Sequence, residues 1–179
     1  MQADPPPSLF TRIDRHVLAV NRLLMIAAMA AMSVIVFASV SIRFLTDYSI
    51  PWAEEVARYL MVWLTFLGAG PVLRLGGHVA VDTAQDAMPQ GPARAARVVI
   101  AVLTAALFAT IAWFGLAYAQ RTLPQTTAVT EVSFAFVSAA VPVGFTLAIW
   151  HLLAICRSYV LERRFEESAD LHPDEAGVV

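Results

Sequence analysis

Long stretches without charge alternate with short polar ones along the chain. The first runs from Leu23 to Ile42, 20 residues, the third from Val98 to Gln120, 23 residues, and the fourth from Val132 to Cys156. Each matches the roughly 20 apolar residues that a helix needs to cross the hydrocarbon of a bilayer. The second stretch falls short, since only 15 uncharged residues separate Arg58 from Arg74. Starting that helix at Pro51 repairs the deficit, because proline's missing N–H has no partner at the first helical position. Pro51 to Leu73 gives 23 residues, about 34 Å of helix. The pattern predicts an all-α integral membrane protein, one four-helix membrane domain with crossings at about 20–42, 51–73, 97–120 and 132–156.

The repair has a consequence. Glu54, Glu55 and Arg58 then sit inside the second helix, with Arg58 about 10 Å beyond its start. Ionisable groups at such a depth are costly and seldom lack a partner. At 100° per residue either carboxylate can reach Arg58 on one face, and both acids lie in the first turn, where the helix dipole favours negative charge. The same face continues through Thr65, Ala69 and Val72. An aromatic stripe of Trp52, Tyr59, Trp63 and Phe66 runs beside it. One reading is a polar helix entrance satisfied within itself, with ordinary interfacial aromatics. The other, favoured because Trp63 lies deep, is a face that packs on another protein through small residues and a shielded ion cluster.

The flanks add little chemistry. Residues 1–11 are rich in proline and expected to be disordered, as are residues 166–179. Gly76 and Gly77 end the second helix after Arg74. His78 to Met88 could form a short interfacial helix, and His78 with Asp82 falls one turn apart, although two ligands without a third make poor evidence for a metal. Small-residue stripes (Ala27, Ala31 and Ala38; Ala101, Ala105 and Ala109) would let neighbouring helices approach closely. In the fourth helix Pro142, within VPVGF, removes the backbone bond to the Ser138 carbonyl and is expected to kink it.

Composition confirms the class. The 179 residues are 59% hydrophobic and 15% charged, with a mean hydropathy of +0.66, too apolar for a soluble domain. A net charge of −2 and a pI near 6.0 offer no basic surface for nucleic acid. The lone Cys156 excludes an intrachain disulfide. All 12 cationic residues are arginine: nine fall on one side of the four crossings, and Arg43, Arg58 and Arg121 on the other. The positive-inside rule then places both termini in the cytoplasm. No nucleophile–base pair, phosphate loop or metal cluster is apparent, so neither enzyme chemistry nor a cofactor is expected.

With these features in view, PWAEEVARYLMVWLTFLGA followed by R-x-G-G-H-x-x-V-D resembles the signature of the small membrane subunit of tripartite ATP-independent periplasmic (TRAP) transporters, the DctQ-like family. The likeness extends to four helices, chain length, cytoplasmic termini and VPVGF. The segment after His78, with Ala80, Thr83 and Ala84, and the loop TTAVTEVSF depart from the family's usual pattern. The resemblance implies a bacterial inner-membrane protein partnered by a large DctM-like transport subunit and a periplasmic substrate-binding protein. It implies ion-driven uptake of an organic acid in which the small subunit braces the fixed scaffold. Trp52, Glu54, Glu55, Arg58, Trp63, Arg74, His78, Asp82 and Pro142 are the candidates for subunit contact or structural support.

Two other classes compete. A membrane anchor of a respiratory enzyme would need axial histidines deep in facing helices, and only His151 lies within a crossing. A small proton-coupled exporter would use Glu54 or Glu55 as carrier, but such a carboxylate is expected nearer the midplane and without Arg58 beside it.

Overall fold

The computed structural model describes residues 9–74 and 90–162. Over these the chain forms α1 (Leu9–Thr46), α2 (Pro51–Arg74), α3 (Gln90–Arg121), α4 (Phe134–Ser138) and α5 (Ala140–Glu162). Four segments are long and apolar enough to cross a membrane, α4 and the first part of α5 together making the fourth. Among the described residues there is no β-strand, only an isolated bridge between Thr126 and Ser133.

Local chemistry sets the boundaries. At the end of α1 the Thr46 hydroxyl donates to the Ile42 carbonyl and the Asp47 amide to that of Arg43, with Asp47 at a φ of 53°. Aspartate tolerates that left-handed position better than most residues. Pro51 opens α2 as expected. A second proline, Pro71, sits in its last turn and leaves the Leu67 carbonyl without its usual helical donor. The side chain of Asn21 on α1 supplies one, at 3.1 Å.

The helices stand in the lateral order α1, α2, α5, α3, so α2 and α5 are the inner pair. Lipid is as apolar as the side chains, so close van der Waals fit rather than water exclusion must hold such helices together. Glycine makes that fit possible. A Cβ on Gly144 would lie 2.5 Å from the Phe66 carbonyl oxygen, and one on Gly70 would lie 2.2 Å from the His151 ring. The core joins Leu73 of α2 and Phe108 of α3 to Ala148, Leu152 and Ile155 of α5, with Ala69, Ala105 and Phe145 packed against it. Phe145 is its aromatic hub, 5.2 Å from Phe108 and 5.9 Å from Phe66 between ring centroids.

The structure corrects several expectations. Leu9, Phe10 and Thr11 are helical, so the disorder expected over residues 1–11 does not hold for these three, and residues 1–8 lie outside the described residues. The third helix begins at Gln90, well before its apolar run, and α1 likewise extends past both ends of its own. At 38 residues α1 is about 57 Å long, more than a perpendicular crossing requires. The fourth crossing breaks as Pro142 leads one to expect: the helix divides at Ala139, whose backbone stays in the right-handed helical region, and Pro142 falls in the first turn of α5, where a missing donor costs least. Of the alanine stripes, Ala101 and Ala105 meet the core, whereas Ala27 and Ala31 remain exposed. The interfacial helix at 78–88, with His78 and Asp82, and the tail at 166–179 lie outside the described residues.

Candidate functional site

Two polar networks brace the bundle, one at each end. The first lies where α1 begins and α2 ends. Arg74, the last residue of α2, is 2% exposed. Its terminal nitrogens hold both oxygens of Asp14 on α1, one at 2.9 Å, and its Nε donates to Nδ1 of His151 on α5 at 2.7 Å. The indole Nε1 of Trp150 also donates to Asp14, at 3.1 Å, and the Trp150 ring lies 5.6 Å from that of Phe10. One guanidinium thus binds three helices. Its planar fork suits a two-point grip on a carboxylate, which a lysine could not reproduce.

The same network fixes the state of His151. Arginine Nε can only donate, so Nδ1 accepts and the ring is neutral with its proton on Nε2. Nε2–H then faces the Asn21 side-chain nitrogen at 3.3 Å without a hydrogen bond, since both are donors in this tautomer, and that nitrogen donates to the Leu67 carbonyl. The Asn21 oxygen is buried without a partner among the described residues. With Arg74 and Asp14 cancelling, the cluster carries no net charge, the arrangement that costs least in a medium of low dielectric.

At the opposite end Glu55 holds a loop. Its Oε2 accepts from the amides of Val129 at 2.9 Å and Thr130 at 3.1 Å; its Oε1 accepts from the Thr130 hydroxyl at 3.3 Å and from Tyr59. The loop, residues 122–133, is itself closed. Thr127 donates its amide to the Val132 carbonyl at 2.9 Å, Phe134 to that of Gln125 at 2.8 Å, and the Thr127 and Thr130 hydroxyls meet at 2.8 Å. Glu131 turns the tip at a φ of 53°. Ser133 then starts α4, its hydroxyl accepting from the Ala135 amide.

These contacts overturn the expected ion cluster. Neither Glu54 nor Glu55 pairs with Arg58, which is exposed and makes no hydrogen bond or ion pair among the described residues. Glu55 is taken by neutral donors, Tyr59 one turn along α2 and Val129 and Thr130 on the loop, and no helical periodicity could reveal the loop contacts. Glu54 is exposed. Trp52 is half-exposed; Trp63 stacks 5.7 Å from Phe136, and its buried indole N–H has no partner among the described residues. Arg74 is not a loop cation but a buried clamp. Its companions Asp14, Asn21 and His151 are absent from the sequence-based candidates. The available signal was His151, a titratable group within an otherwise uncharged crossing.

No three of His, Cys, Asp or Glu group as metal ligands among the described residues. The arrangement fastens helices and a loop and positions no reacting groups.

Comparison with known proteins gives one consistent answer. The family model of tripartite ATP-independent periplasmic transporters, DctQ component, matches residues 32–160. The ectoine TRAP transporter small permease protein TeaB of Halomonas elongata is 27% identical over 112 residues, 63% of this chain and 58% of its own. The isethionate TRAP transporter permease protein DctMQ of Oleidesulfovibrio alaskensis is 27% identical over 104 residues, 57% of this chain and 16% of its own. The C4-dicarboxylate TRAP transporter small permease protein DctQ of Vibrio cholerae is 28% identical over 82 residues, 46% of this chain and 35% of its own. The chain therefore spans less than two thirds of the length of each.

Proposed function

Because the chain belongs to the DctQ family of TRAP transporter small membrane subunits, we propose that it braces a large DctM-like transport subunit in a bacterial inner membrane. It is a multi-pass membrane protein and a transporter subunit, not an enzyme. On this proposal the large subunit moves an organic acid delivered by a periplasmic binding protein, driven by an ion gradient. The names of the relatives support the substrate class, and the relative named DctMQ supports the partnership.

The observation that carries the bracing role is the pair of networks. Together they engage Asp14, Arg74, His151 and Glu55 in fastening the parts of the bundle, and among the described residues no His, Cys, Asp or Glu converge as an ion site. Both alternatives weaken on the same ground. Nδ1 of His151 accepts from Arg74 and Nε2 carries the ring proton, so this histidine, the one within a crossing among the described residues, offers a haem iron no free lone pair. Glu55, one proposed proton carrier, is tied to a loop by three donors and held by Tyr59 of its own helix as a fourth.

Arg58 supports a contact with the partner. It is an exposed cation in a membrane-crossing helix, about 10 Å from its start, and the large subunit would supply its anion. Losing one member of a desolvated interfacial pair costs about 2–5 kcal/mol, enough to reduce assembly. Arg58→Ala should lower recovery of the co-expressed large subunit while this chain's own yield stays constant. Recovery at the wild-type level would mean that Arg58 reaches the lipid headgroups instead and would remove it from the interface.

A further inference from the structure

Between the end of α1 and the start of α2 lies an open cleft of about 180 Å³ lined by Val36, Ser39, Val40, Arg43, Ser49, Ile50, Ala53 and Glu54. Neither network reaches it. It holds one cation and one anion, Arg43 and Glu54, both exposed and not paired with each other. Two serine hydroxyls complete its polar part. Val36, Val40 and Arg43 are spaced by four and three residues on α1 and therefore share a face. Arg43 ends the uncharged run of that helix, which puts it at the boundary between headgroups and hydrocarbon. From there Val40 and Val36 descend toward the bilayer interior.

A ligand fitting these features carries an anion for Arg43, a hydrogen-bonding cation for Glu54, and an apolar chain to lie along Val36 and Val40. We infer that the cleft binds a zwitterionic phospholipid with a primary ammonium, of the phosphatidylethanolamine type. Its phosphate meets the Arg43 guanidinium, a match that arginine's fork favours. Its ammonium donates to the Glu54 carboxylate. Phosphatidylcholine offers a cation with no N–H to donate, and phosphatidylglycerol offers Glu54 no cation at all. The inference rests on the membrane-spanning fold and is independent of which subunit or solute the protein serves.

Native mass spectrometry of the purified full chain, exposed to equal amounts of phosphatidylethanolamine, phosphatidylcholine and phosphatidylglycerol, tests it. The wild type should retain the ethanolamine lipid over the choline lipid by about fivefold, the size that an exposed ion pair supports. Glu54→Gln should bring that ratio to about one, and Arg43→Gln should lower retention of all three lipids. Glu131→Gln, an exposed acid outside the cleft, should leave the ratio unchanged. Equal retention by the wild type, a preference that survives Glu54→Gln, or a retention indifferent to Arg43→Gln would each overturn the assignment.

Discussion

Arg74 donates its Nε–H to Nδ1 of His151 across 2.7 Å, joining the last residue of α2 to the interior of α5. The same guanidinium grips Asp14 of α1. Two bonds of different kinds thus meet at one side chain, and their magnitudes differ. Breaking a buried ion pair from one side costs on the order of 3–5 kcal/mol. Asp14 is partly exposed (17%), which puts this pair toward the lower figure. The bond to the imidazole has a charged donor and contributes about 1.5–3 kcal/mol. Arg74→Ala, which loses both, should therefore lower the melting temperature in detergent further than His151→Ala. Equal losses would show that the imidazole contact, not the ion pair, fastens α1.

The inner helix pair depends on two missing side chains. At Gly144 an added methyl meets the backbone of Phe66, which cannot yield, so α2 and α5 must part. At Gly70 it meets the His151 ring, which can move only by disturbing the Arg74 contact. Overpacking of this sort costs about 1–3 kcal/mol. Gly144→Ala and Gly70→Ala should each melt earlier than the wild type. Gly91→Ala, where the new methyl meets nothing within 4 Å, should not. An unshifted Gly144→Ala would refute the close crossing.

Glu55 makes a prediction that thermal stability would miss. Its carboxylate holds the Val129 and Thr130 amides of a surface loop. In Glu55→Ala those amides should exchange with deuterium faster, while the amides of α2 and α5 keep their rates. Glu54→Ala, whose side chain makes no hydrogen bond to the described loop, should leave the exchange unchanged. Unaltered protection in Glu55→Ala would show that the loop closes through Thr127 and Thr130 alone.

Much of this architecture was legible in the sequence because a bilayer imposes a simple code. Uncharged runs of the required length mark crossings, and Pro51 marks the start of α2. What stayed hidden were contacts between residues distant in the chain. Helical spacing pairs Arg58 with Glu54 or Glu55, since local geometry permits it. It says nothing of a threonine-rich loop 75 residues away that offers Glu55 better donors. The Arg74 cluster was missed for a related reason. Asp14 and Asn21 look like ordinary flanking residues until α1 lies beside α2, and Pro71 frees the Leu67 carbonyl without marking in the sequence that Asn21 will serve it. Pro142 was recognised as a break, but its effect falls three residues earlier, at Ala139. A proline obstructs the turn before it.

Arginine placement predicts the orientation. Reporter fusions after residues 48 and 125 should be periplasmic, and fusions after residues 88 and 165 cytoplasmic. A periplasmic signal at residue 88 would break the four-crossing topology.

If this chain supports transport without performing it, reconstitution will separate the two roles. Vesicles would contain the chain alone, or the chain with the large subunit and binding protein. Under an imposed ion gradient, uptake of the solute carried by the cognate binding protein is then measured. No accumulation is expected with the chain alone, and clear accumulation with all three components. Robust gradient-driven uptake by the isolated chain would contradict it and make this protein a carrier in its own right.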